Sequence, residues 1–171
     1  LTGETNELLT FQWAGGLPEL QDVLQRNGWR DSADWTLLNT LNWLSVQNDP
    51  VALPVIPLFA SGRLPSLTLV RTNSGGALTS SRLVLRVWVV DFELTNGRTS
   101  PLWMGSVVEE RFYHPLSLFT LTSTQQDVNA PRGTLTTTFE DGRLLPRIPE
   151  MADEDWDGKV LLARHHEPTH H

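Results

Sequence analysis

The stretch RLVLRVWVVDFEL (82–94), followed by Asn96-Gly97 and then LWMGSVVEERFY (102–113), decides the fold. Side chains alternate along an extended chain, so Leu83, Leu85, Val87 and Val89 share one side and Val84, Trp88, Val90 and Phe92 the other. Apolar residues on both sides predict an interior strand. Asn-Gly is the strongest short hairpin signal, because both residues tolerate positive φ, and it makes 102–113 the return strand. A two-residue turn sets Thr95 opposite Arg98, Val90 opposite Trp103, Trp88 opposite Gly105 and Arg86 opposite Val107. Trp88 then shields the bare backbone of Gly105. In this register Pro101 meets Phe92, and its missing amide calls for a non-bonded position, an outer edge or a bulge; a bulge would shift the partners beyond it and part Trp88 from Gly105.

Outward from the hairpin, ELLTFQW (7–13) alternates weakly and ends at Ala14-Gly15-Gly16, a strand running into a turn. Leu17, Leu20, Val23 and Leu24 recur at helical spacing, Pro18 suits a first turn, and Gly28 suits the left-handed residue that closes a helix. Asp31, Ser32 or Asp34 can cap a second helix, with Trp35, Leu38, Leu41 and either Asn42 or Leu44 along one stripe. Pro50, Pro54, Pro57 and Pro65 exclude a long helix or interior strand, leaving an extended connector packed on the core. SLTLVRT (66–72) and KVLLAR (159–164) read as further strands. Between them, after the hairpin, come LSLFTLT (116–122), a Thr-rich stretch at 134–139 and an acidic loop. The expected architecture is α+β: a mostly antiparallel sheet with a central hairpin, packed by an N-terminal helix pair, in one domain over 1–171.

The 171 residues suffice for one core, and seven Trp supply apolar area to anchor it. No apolar run reaches the ~18 to 20 residues of a membrane-spanning helix. The opening Leu1, in place of Met, implies an excised or processed chain. Twenty acids against thirteen bases leave a net charge of −7, and the arginines are dispersed, so nucleic acid is not an expected partner. The absence of Cys excludes disulfides and thiolate chemistry but suits both the cytoplasm and the periplasm.

Five pieces carry a family resemblance: Asn27-Gly28-Trp29, Pro54-Val55-Ile56-Pro57-Leu58-Phe59, Leu67-Thr68-Leu69-Val70-Arg71, Arg82-Leu83-Val84-Leu85-Arg86-Val87-Trp88, and Pro101-Leu102-Trp103-Met104-Gly105-Ser106-Val107. Their order over 17–120 resembles the LssY C-terminal domain family, found in bacteria behind DedA-like or type 2 phosphatidic acid phosphatase membrane modules. The resemblance implies a domain tethered at the bacterial inner membrane, on its cytoplasmic or periplasmic side. Its implied partner is a protein or a membrane-protein module in the same chain. Histidines that some relatives carry in the strand at 82–88 are apolar or Arg here, and the phosphatase signature is missing, with Trp88 where its His belongs. The resemblance therefore implies no catalytic residues.

Asp153, Asp155, Asp157 and Gly158 form the D-x-D-x-D-G opening of a calcium loop. Position twelve, however, is Arg164 rather than a bidentate Glu. A solvated acidic turn is expected, with Ca²⁺ the alternative cofactor. His165, His166, His170 and His171 form a terminal cluster read as a frayed tail, and His114 is a lone structural His. No G-x-S-x-G elbow or phosphate loop is present. Glu109 and Glu110, adjacent on a strand, point to opposite faces and read as a solvated edge. Arg86 shares a strand face with Val84 and Trp88, where it must pair with a carboxylate, stack, or meet a ligand anion. A shallow ligand site of Arg71, Arg86, Trp88 and Trp103 follows from the last case. The expected function is a non-catalytic accessory or binding domain of a bacterial membrane-associated protein. A metal-dependent or other hydrolase, or a module that adds a partner's strand to a sheet edge, are the alternatives.

Overall fold

The computed structural model describes residues 7–36, 39, 41–44, 52–72, 81–95, 99–147 and 149–164. Within them one mixed sheet contains β1 (Phe11–Ala14), β2 (Arg30–Asp31), β3 (Leu67–Thr72), β4 (Ser81–Thr95), β5 (Thr99–Tyr113), β6 (Leu121–Thr124), β7 (Arg143–Pro146) and β8 (Lys159–Arg164). The strand order is β2-β3-β4-β5-β1-β8-β7, and β6 pairs with β5. β1 and β8 run parallel, whereas the other described pairings are antiparallel. With helices α1 (Leu17–Arg26) and α2 (Asn129–Thr136), the fold is α+β.

α1 follows its sequence signals. Pro18 lies in its first turn. Gly28, at φ 85°, ends the helix in the left-handed conformation a side chain resists. Leu20 and Leu24 are fully buried. The second predicted helix crosses residues 37, 38 and 40, outside the described ones; at its end Asn42–Leu44 make one 3-10 turn, and Trp35 and Leu41 of its stripe are half exposed. α2 falls on a stretch whose Thr content disguises it. Hydroxyls of Thr134 and Thr136 donate back to the carbonyls of Ala130 and Arg132, at 3.3 and 2.8 Å, which lets β-branched residues sit in a helix.

The central hairpin departs from the predicted register. Thr95 opposes Thr99, so 96–98 connect the strands, and these three lie outside the described residues. Glu93 then opposes Pro101 and Val89 opposes Trp103, with residues 90–92 of β4 set against Leu102 alone. The irregularity lies beside Pro101, which has no amide for the ladder. Beyond it Trp88 opposes Met104, and Gly105 opposes Val87. Trp88 is thus not the aromatic over Gly105. Phe11 is: it opposes Gly105 from β1, on the other side of β5.

Cross-strand partners share a face, so the register sorts the two layers. Leu83, Leu85, Val87, Val107, Phe11, Trp13 and Leu161 face α1 and the end of α2 and form the main core. Phe139, just past α2, stacks on Phe11 at 5.5 Å. On the opposite face Val84, Val70 and Val108 lie under Val55 of the Pro-rich connector. The described part of that connector, residues 52–66, adds no strand to the sheet and packs on it, with Leu53 and Val55 buried. Val160 on this face packs with Trp156 and Val128, which immediately precedes α2.

A β-carbon on Gly105 would meet the Arg86 carbonyl at 2.9 Å and the Phe11 ring at 3.0 Å. Gly105→Val should therefore destabilise the fold by about 2 kcal/mol or more, as overpacking does. Urea unfolding of Gly105→Val, alone and with Phe11→Leu, checks this; the second change should restore part of the loss.

Candidate functional site

On the face away from the helices, β4 and β5 bury a cluster of ion pairs. Arg82 opposes Glu110, and Arg86 opposes Ser106 four residues along on the same face, so all four side chains lie in one patch. The Glu110 carboxylate accepts from Arg82 Nε at 2.8 Å and from Arg86 Nη2 at 3.4 Å. Glu7 bonds both Arg86 and the Ser106 hydroxyl. Remaining guanidinium donors go to connector carbonyls: Arg82 to Leu53 and Pro54, Arg86 to Ile56. Burial pushes the Arg82 pKa below its ordinary value; Glu110 opposes that shift and Arg86 adds to it. Two cations face two carboxylates and three carbonyls, and only the Arg86 Nε among these guanidinium nitrogens lacks a partner among the described residues, so the cluster is a structural network.

Beside this cluster the same face opens into a groove of about 1080 Å³. One transverse row runs Trp88, Met104, Gln12, Leu162, Arg143 across β4, β5, β1, β8 and β7; the next runs Leu102, Ala14, Arg164. Met104, Leu102, Gln12, Ala14 and Leu162 floor the groove, and Leu8, Met151 and Trp156 wall it. Arg143 and Arg164 stand at its β7–β8 end, Arg147 lies further along that wall, and Glu7 and Asp141 also reach it. Asp141 is itself partnered, whereas none of the three arginines joins an ion pair among the described residues.

A family model described as LssY C-terminus matches residues 1–150. The chain belongs to this family. No curated protein and no solved structure matches it.

In this LssY C-terminus domain the four residues predicted as one ligand site divide between two faces. Arg86 and Trp88 lie on the groove side, and the Trp88 indole donates to the Arg63 carbonyl at 3.1 Å. Arg71, opposite Leu83, and Trp103, opposite Val89, lie on the helix side. The register therefore forbids a shared site. Arg86 takes the ion-paired role weighed for it. Glu110 is not a solvated edge residue: it is 4% exposed, whereas Glu109 pairs with exposed Arg111.

The side chains of two of the three loop aspartates do separate work. Asp153 accepts from the amides of Asp155 and Trp156, both at 2.9 Å. Asp157 takes two bonds from the buried Arg132 guanidinium, at 2.7 and 3.0 Å. Among the described residues no group of three or more His, Asp or Glu side chains is gathered for a metal. His114 Nδ1 sits 3.1 Å from the Thr120 hydroxyl, away from the groove. The terminal histidines lie outside the described residues. Sequence reasoning passed over Arg82, Glu7, Gln12, Arg143 and Arg164. The alternation Arg82, Val84, Arg86 signals two cations on one face, but nothing short of the register supplies their carboxylates.

Glu110→Gln removes half of a buried carboxylate pair from two buried cations, and should cost about 3 to 5 kcal/mol. Exposed Glu140→Gln should stay within about 0.5 kcal/mol of the parent, so chemical denaturation of the two variants separates core from surface. A second expectation concerns acid. The Arg132 hydrogen bonds are the largest cause holding the Asp157 carboxyl down from 3.8 to about 2. A depressed folded-state pKa stabilises above the unfolded value and is lost as pH falls through the folded one. Melting temperature should thus drop between about pH 4 and pH 2 through this pair, and Arg132→Met should lower it at neutral pH while flattening that acid limb.

Proposed function

We propose that this LssY C-terminus domain is a non-catalytic binding domain, an accessory to a bacterial membrane-associated protein, and that the groove on β5, β1 and β8 is its ligand site. The groove carries the proposal: it is wide, floored mainly by apolar side chains, and edged by a few charged ones, the usual make-up of a site for a small ligand. Its volume of about 1080 Å³ lies just above the usual range for such sites, roughly 300–1,000 Å³. Its described lining has no His, Ser, Thr or Lys to serve as nucleophile or base. Glu7, one of its two carboxylates, is committed to Arg86 and Ser106.

Strand addition finds less support. The two ends of the sheet order are β2, of two residues, and β7, of four ending in Pro146. Edges this short, one of them ending in Pro, offer a partner strand few free donors. No described helix is long and apolar enough to cross a membrane. The proposed membrane association therefore runs through a partner or another module of the same protein.

N-phenylnaphthylamine, a neutral dye that brightens in apolar surroundings, tests the groove. The parent should bind it with saturable enhancement, and Ala14→Trp, which fills the floor, should abolish that enhancement at an unchanged melting temperature. Leu162→Trp gives a second, independent filling from β8. Enhancement that survives both substitutions places binding elsewhere and overturns the reading. Steady hydrolysis of nitrophenyl esters or phosphates that disappears in His114→Ala would replace it with an enzyme.

A further inference from the structure

We infer that the ligand of the groove is an amphiphile with one anionic headgroup on a long acyl chain, the headgroup held by Arg143 and Arg164. This inference rests on the groove being the binding site. Arg143 opposes Leu162 on β7, and Arg164 lies two residues beyond Leu162 on β8. The two arginines are therefore diagonal neighbours on one face, with Cα atoms roughly 7–8 Å apart, a spacing from which two long guanidinium arms converge on one carboxylate or phosphate. Arginine suits that task, since its planar fork matches such anions bidentately.

Charge favours this occupant over a neutral one. The chain carries a net −7, yet at this end of the groove two exposed arginines stand without an ion-pair partner among the described residues. Asp141, the acid nearest Arg143 in sequence, is already partnered. By contrast the buried cations nearby, Arg82 and Arg86, are matched by Glu110 and Glu7. Next to Arg164 the floor residue is Ala14, whose small side chain leaves depth where the head must turn into the groove. From there Leu162, Met104 and Leu102 continue the floor toward β4, and Trp156 closes the side. No polar side chain but Gln12 interrupts this floor, so a hydrocarbon chain loses little by leaving water there.

The test displaces bound N-phenylnaphthylamine with dodecanoate or with dodecanol, both below their critical concentrations. Dodecanoate should displace the dye at about one tenth of the dodecanol concentration in low salt, and the preference should shrink as salt screens the exposed arginines. Arg143→Gln with Arg164→Gln should bring the two amphiphiles within about twofold while dye binding itself persists. Equal displacement by both amphiphiles in the parent overturns the anionic headgroup and leaves the groove intact. Displacement by neither, or only by an acidic amphipathic peptide, overturns the acyl ligand. A parent that does not bind the dye at all removes the groove and this inference together.

Discussion

The Glu110 carboxylate, buried between Arg82 and Arg86, fixes the register on which the sheet depends. β4 is apolar on both faces, so hydrophobic patterning alone is nearly indifferent to a slip of β5 by one residue. The charges are not indifferent. A one-residue slip would turn Glu110 toward Leu83 and Leu85 in the main core and leave two guanidinium groups buried without their shared partner. The same two arginines also hold the connector, through the carbonyls of Leu53, Pro54 and Ile56. Arg86 holds the chain before β1 as well, through Glu7. A segment too rich in proline to join the sheet is thereby fastened to it by side-chain donors.

Local signals carried much of the fold. The α1 stop at Gly28, the span of β3 and the span of β8 at 159–164 were legible because each depends on residues within a few positions. The hairpin strands were legible too, but their register was not. Asn-Gly favours a two-residue turn, whereas Thr95 faces Thr99 and β4 places three residues against Leu102. That difference hid Glu110, since Glu109-Glu110-Arg111 looks like a solvated run until its alternation is referred to a partner strand. α2 was hidden by Thr and Gly, weak helix formers on their own. The acidic loop was misleading for the reverse reason: its motif is local, but Asp157 is engaged by Arg132, from a helix a sequence motif cannot see.

The groove had no sequence signature because its parts are ordinary taken singly. Gln12, Ala14, Leu102, Met104 and Leu162 come from three strands far apart in the chain, and only the order β5-β1-β8 makes them neighbours. Net charge is equally silent on one site: a chain at −7 repels anions on average, but the potential at one place is set by the few side chains around it.

The parallel pairing of β1 with β8 joins the first described strand to the last, Phe11 beside Leu161. β3, β4, β5 and β6 are antiparallel neighbours close in sequence and can associate as they emerge. β1 can dock on β5 early, but its other edge waits for the C-terminal strand, the slowest kind of contact for a chain to close. During synthesis that edge, flanked by Phe11 and Trp13, is an unpaired template open to the wrong partner. The arginine end of the groove belongs to β7 and β8, so a nascent or C-terminally clipped chain can hold much of its core and still have no such site.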